Sequence, residues 1–162
     1  MILNFLKKFI KFIIFDDYRT NYFVNKYYKI SSNSIFGNLL KKIIKRQLKI
    51  KKFIILGGNS KAGDNIFLPH PMDVVIGDYV NIGNNCKLYH GVTLGQNRGK
   101  FPKLGNNIII YSGAKVIGDV NIGDNSVIGA NSVVTNDMPS DSIIVGSPAK
   151  VVGKRTNIDE FY

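Results

Sequence analysis

The sequence has almost no capacity for thiol chemistry. Cys86 is the one cysteine in 162 residues. An intrachain disulfide, a Cys-rich zinc site and a secreted disulfide scaffold are therefore excluded, and a reducing compartment is expected. Histidine is nearly as scarce, with only His70 and His90. No apolar run approaches the ~20 residues that a membrane-spanning helix needs. The longest, in residues 2–15, is interrupted by Lys7, Lys8 and Lys11, and no small-residue cleavage site follows it, so a signal peptide is not expected either. Acidic residues are missing from one region. Residues 1–52 hold 13 of the 22 Lys/Arg against only Asp16 and Asp17, whereas residues 53–162 hold nine bases and nine acids. The formal net charge of +11 thus belongs to the first third of the chain.

What is present is a repeat. From Ile76 the chain reads in sixes (IGDYVN, IGNNCK, LYHGVT) and resumes in phase at Leu104 (LGNNII, IYSGAK, VIGDVN, IGDNSV, IGANSV). The first position is always aliphatic: Ile76, Ile82, Leu88, Leu94, Leu104, Ile110, Val116, Ile122, Ile128 and Val134. The fifth is small or medium: Val80, Cys86, Val92, Ile108, Ala114, Val120, Ser126 and Ser132. A period of six fits neither an amphipathic helix nor an alternating strand. It fits a short strand and a tight turn, repeated, with Gly or Asn accepting the turn backbone. Three such faces close one triangular coil of about 18 residues, and stacked coils share an aliphatic column. An all-β sandwich is the competing fold, and eight hexapeptides in phase argue against it.

Two irregularities interrupt the period. Residues 94–104 contain LGQNRGKFPK, four residues too many, which predicts an extruded loop over 95–103 carrying Arg98, Lys100 and Lys103. Two further residues intervene at Val74–Val75. Allowing for them, His70 in LPHPMD and His90 in LYHGVT occupy the same hexapeptide position one coil apart. Equivalent corners of successive coils lie ~4.8 Å apart, so both imidazoles are predicted on one edge.

These segments (HPMDVVIG, YHGVTLGQN, GAKVIGDVNIGDNSVIGANSVV and VGSPAKVVGK) resemble the hexapeptide-repeat acyltransferases over about residues 57–155. The similarity is to the serine O-acetyltransferases and the related polysaccharide O-acetyltransferases. The resemblance implies a left-handed parallel β-helix, a homotrimer, and acetyl-CoA held in grooves between neighbouring chains. It implies no metal. It assigns general-base duty to His70, and a neutral imidazole suits that duty. His90 could contact the acceptor or the carbonyl oxygen, or steady His70. For acetyl-CoA it points to the small residues Gly95, Ser112, Gly113, Ala114 and Ala130, and to Lys115 and Lys150, with Lys154 and Arg155 beyond, for the phosphates. A backbone N–H near Gly95 or Gly113 could meet the carbonyl oxygen as charge develops. Asp73 and Phe101 are the positions expected to face the acceptor.

The chain also departs from that family's pattern. The upstream Asp that helps the base is Ile55 here, the Asp before the base is Pro69, and the His of the extruded loop is Phe101. Asp73, Asp78 or a backbone carbonyl could orient His70 instead. On these departures the expected acceptor is a sugar hydroxyl of a surface polysaccharide or its precursor, with serine as the second reading. A non-catalytic trimeric scaffold at a membrane is the third. GGNSKAG at 57–63 lacks the G-K-[ST] end of a phosphate loop and leads into the first coil. A γ-type carbonic anhydrase needs three histidines, and the chain has two.

Residues 1–56 read as a basic helical region. Apolar and basic residues alternate at helical spacing in 2–15 and again in 36–50, with an aromatic-polar stretch between that ends near SSNS. Three roles stay open for it: helices packing on the β-helix or on other subunits, an anionic membrane surface for residues 1–52, or nucleic acid. No nucleic-acid motif is present, so nucleic acid is not expected. Residues 156–162 form a tail. The expected location is the cytoplasm, peripheral at the inner face of the plasma membrane.

Overall fold

The computed structural model describes residues 17–31 and 34–156. The expected helix over 2–15 lies outside the described residues, as does the tail from 157. Helix α1 spans Asp17–Lys29 and α2 spans Ile35–Lys52. Ser34 caps α2 by accepting the Gly37 N–H at 2.9 Å, and Phe53 ends it in the left-handed region. The remainder is a parallel β-solenoid of strands mostly two or three residues long, consistent with the left-handed β-helix that the family resemblance implies.

Three sheets form its faces. The first is β1 (Ile55–Leu56), β3 (Val75–Ile76), β6 (Thr93–Gly95), β9 (Lys115–Ile117) and β12 (Val133–Val134). The second is β2 (Lys61–Ala62), β4 (Asn81–Ile82), β7 (Lys103–Leu104) and β10 (Asn121–Ile122). The third is β5 (Lys87–Leu88), β8 (Ile109–Ile110), β11 (Val127–Ile128), β13 (Ser142–Gly146) and β14 (Ala149–Lys154). The register follows the sequence phase, as in Ile76↔Leu94 and Leu88↔Ile110. The first strand lies at Ile55–Leu56, inside the region assigned to the helical segment, because β1 already pairs with β3.

Every first-position aliphatic from Ile76 to Val134 is at most 5% exposed, and every fifth-position residue from Val80 to Ser132 is buried as well. Burying an aliphatic side chain of this size stabilises by roughly 1.5–3 kcal/mol, so the columns around the prism axis are the main source of cohesion. Burial also pushes the Cys86 thiol up to about 11.

One of the three corners is closed by side-chain ladders, and a second by single carboxylate contacts. Between the second and third sheets, Asn65 donates to Asn85, Asn85 to Asn107, Asn107 to Asn125, and Asn125 to Asp141, at 2.8 to 3.2 Å. All five residues have φ between 55° and 58°, where the short Asx side chain is tolerated best after glycine. One residue earlier, Asn84, Asn106 and Asp124 accept backbone N–H groups of the coil before. At the corner between the first and second sheets, Asp78 accepts the Gly58 N–H and Asp137 the Asn121 N–H.

A stack of coils has open ends, and unpaired strand edges invite further pairing. Here α1 closes the third face. Asn21 donates to the Leu68 carbonyl and accepts the Leu68 N–H, and Asn25 does the same with Ile66. Four residues apart, these amides face one way from the helix and imitate an adjacent strand. The far end closes on itself, since β14 folds back antiparallel on β13.

Two measurements follow from this packing. Asn107→Ala removes two ladder bonds and leaves a residue with a Cβ in the left-handed region, so it should cost roughly 2–3 kcal/mol in chemical denaturation; a loss under about 0.5 kcal/mol would show that the ladder contributes nothing. Cys86 has a folded pKa above its unfolded value, so its contribution to stability is complete below about pH 9 and is lost as pH rises towards 11. That alkaline slope should be shallower in Cys86→Ala than in wild type, and identical slopes would contradict the burial effect.

Candidate active site

The third corner, between the third and first sheets, has no Asx ladder. Its stacked positions, following the strand register, are His70, His90, Ser112 and Ala130. Both imidazoles are exposed, and their ring centroids stand 6.0 Å apart at 61°. The one-coil separation read from the period is thus present as a contact between rings. The turns after His90, Ser112 and Ala130 use a left-handed residue, supplied by Gly91 (φ 70°), Gly113 (φ 73°) and Asn131 (φ 56°), whereas Pro71 follows His70. A Cβ at Gly113 would collide with the Asn131 amide oxygen, so this position keeps glycine and the edge stays narrow.

Residues that the sequence did not single out surround the pair. Tyr89 stacks on Tyr111 with centroids 5.0 Å apart and 27° between planes, and Tyr89 stands 6.3 Å from the His70 ring. The pattern held a signal for them. Both follow a first-position aliphatic directly, where most repeats carry Gly, but aromaticity at an outward position does not by itself mark a site.

The structure separates the other expected residues. Ser112 and Ala130 continue the histidine edge, and Ala114 is buried within it. Lys115 is half-buried and its Nζ donates to the Gly91 carbonyl at 2.8 Å, so it braces the turn after His90 from the next coil. Gly95 ends β6 at the opposite margin of the first sheet, with the Ile117 side chain against it. Lys150 is exposed on β14. Asp73 is exposed in the left-handed region, and its N–H donates to the Lys52 carbonyl. Asp78, the other carboxylate considered for orienting His70, is committed to Gly58 at a different corner.

The extruded loop is a tight hairpin in which Asn97 and Lys100 exchange backbone hydrogen bonds around Arg98 and Gly99, both at positive φ. Lys100 pairs with Asp119 at 2.7 Å, which raises the ammonium pKa and lowers that of the carboxyl. At the base of the loop, Phe101 packs on the Tyr79 ring at 5.5 Å and against Gly77. Phe101 therefore does not face the histidines of its own chain. Among the described residues no cluster of three His, Cys, Asp or Glu could hold a metal ion.

The repeat and the solenoid are similar to those of the hexapeptide-repeat transferases. Residues 101–136 match the family described as bacterial transferase hexapeptide (six repeats), and residues 73–112 match the hexapeptide repeat of succinyl-transferase. Among named proteins the similarity is to serine acetyltransferases. That of Helicobacter pylori is 47% identical over 100 residues, which is 59% of this chain and 58% of the relative. That of Synechococcus elongatus is 45% identical over 97 residues, 57% of this chain and 40% of the relative. In structure, the serine acetyltransferase of Neisseria gonorrhoeae superposes with a TM-score of 0.68 at 31% identity, covering 74% of this chain and 47% of its own. A serine acetyltransferase in complex with CoA gives 0.66 at 29%, covering 84% and 54%. The chain spans about half the length of the relatives it matches.

These likenesses overturn the expected sugar acceptor and, with it, a role in polysaccharide biosynthesis. They favour the second reading, serine. The physical reason lies in Phe101. Its side chain is turned onto Tyr79, so the loss of a polar group there says nothing about the acceptor beside His70.

Proposed function

We propose that the protein is a serine O-acetyltransferase that uses acetyl-CoA. The observation that carries this reading is the 45–47% identity to serine acetyltransferases. The paired histidines give the reading its chemistry. His70, as a neutral imidazole, takes the proton from the serine hydroxyl while the oxygen attacks the thioester carbonyl. The carbonyl carbon gains a C–O bond and loses its C–S bond, and the departing thiolate takes up a proton. The products are O-acetylserine and CoA. A general base of this kind contributes ~10²–10⁴ in rate. His90, with its ring 6.0 Å from that of His70, is placed to contact the acceptor or the developing oxyanion.

The co-substrate suits the edge that extends from the histidines. Ser112, Gly113 and Ala130 keep it low enough for a thin pantetheine arm, and Lys115 holds its turn rigid through Gly91. Lys150 is free of the core and suits a phosphate. Gly95 lies across the first sheet from His70, so it joins the same site when a neighbouring chain presents that margin to the histidine edge. A homotrimer with the site at each seam meets this requirement. A cytoplasmic location goes with the reading, because that is where acetyl-CoA is available.

Release of CoA thiol from acetyl-CoA should be stimulated by L-serine, and His70→Ala should lower that rate at least 100-fold with the oligomer unchanged. Loss of less than tenfold would remove His70 from the role of base. Equal stimulation by O-methyl-L-serine, which has no hydroxyl proton to give, would overturn acetyl transfer to serine. Absence of both CoA binding and turnover would leave the scaffold reading in its place.

A further inference from the structure

Helix α2 has two apolar faces, and only one is used by the fold. At ~100° per residue, Gly37, Ile44 and Leu48 fall together, and all three are buried. Ile35, Leu39 and Ile50 gather on the other side within about 60° of one another, with Phe36 at the margin. On that side Ile35 is 91% exposed, Phe36 73%, Leu39 55% and Ile50 57%. Phe53, at the C-cap, adds another ring at 66%. Single exposed apolar side chains are ordinary, but a row of large ones along a helix marks an interaction surface.

The charge of the helix identifies what fits that row. Within Ile35–Lys52 there are Lys41, Lys42, Lys45, Arg46, Lys49, Lys51 and Lys52, and no acid. Lys41 is turned onto the Tyr27 ring at 5.4 Å, within the contact with α1. Lys42, Arg46 and Lys49 are exposed and lie within or beside the apolar row. A second copy of α2 would bring like charges together, which costs association. Residues 2–15 carry Lys7, Lys8 and Lys11 and no acid, so they have the same sign. A nucleic acid would meet the cations but leave the Ile, Leu and Phe side chains in water. A surface that is anionic outside and apolar just beneath satisfies both.

We propose that α2 docks on the surface of an anionic lipid bilayer. Ile35, Leu39, Ile50 and Phe53 enter the boundary between headgroups and acyl chains, and Lys42, Arg46 and Lys49 lie against the headgroup phosphates. No helix among the described residues is long and apolar enough to cross a membrane, so the contact is peripheral. The proposal does not depend on the acetyl-transfer reading.

Flotation of the full chain with vesicles tests it. The protein should float with mixed phosphatidylglycerol–phosphatidylcholine vesicles and not with pure phosphatidylcholine. Leu39→Glu/Ile50→Glu and, separately, Lys42→Glu/Arg46→Glu should each weaken binding roughly tenfold or more. Both variants should keep the unfolding temperature and the elution volume of wild type, since the altered side chains are exposed. Undiminished flotation of either variant, or no flotation of wild type, would overturn the proposal. So would a smaller oligomer in Leu39→Glu/Ile50→Glu, which would assign the face to another copy of the chain.

Discussion

Vertical register is the constraint on which the rest of this structure depends. Each coil must place its aliphatic residues directly over those of the coil before, because the interior of the prism is filled by three such columns, one from each face. That requirement fixes the strand pairs, such as Leu88↔Ile110 and Ile110↔Ile128. It also turns a one-dimensional spacing into a three-dimensional address: residues about 18 apart, corrected for insertions, become neighbours. Hydrogen bonds then hold the register where the chain bends. The run from Asn65 through Asn85, Asn107 and Asn125 to Asp141 ties five coils at one corner, and its left-handed backbone is what lets each amide point along the prism axis.

The same constraint explains where the chemistry can be. A corner occupied by stacked amides has its polar groups satisfied within the chain and presents little to a ligand. The corner with His70 and His90 gives up that ladder. Its turn is held by Gly91, Gly113 and Asn131, and by the Lys115 ammonium reaching back to the Gly91 carbonyl. Both imidazoles are thereby left exposed. The ends of the solenoid follow a comparable economy. Asn21 and Asn25 complete the backbone pairing of the first coil without adding a strand, and α2 then packs its buried face behind them.

Much of this was legible in the sequence, and the reasons are specific. The inward positions were legible because each must be aliphatic, and the shared edge of His70 and His90 followed once the two residues at Val74–Val75 were counted. The start of the solenoid was less clear. Ile55–Leu56 belongs to it, but Leu56-Gly57-Gly58 reads as loop until its pairing with Val75–Ile76 is seen. The capping by Asn21 and Asn25 left no trace in the pattern, because two amides four residues apart on a helix are ordinary. The tyrosines beside His70 were passed over for a similar reason. The acceptor was misread because Phe101 was judged by its identity, whereas its orientation towards Tyr79 decides what it can touch. The amphipathic character of α2 was visible, but which of its apolar residues stay exposed depends on how it lies against the first coil.

A crystal structure of the protein with CoA tests the central relation between register and chemistry most directly. The expected result is the thiol beside His70 and His90, with the pantetheine arm running along Ser112, Gly113 and Ala130 and a second chain closing the groove. CoA bound instead along the Asn85–Asn107–Asn125 corner, or with its thiol out of reach of both imidazoles, would contradict it.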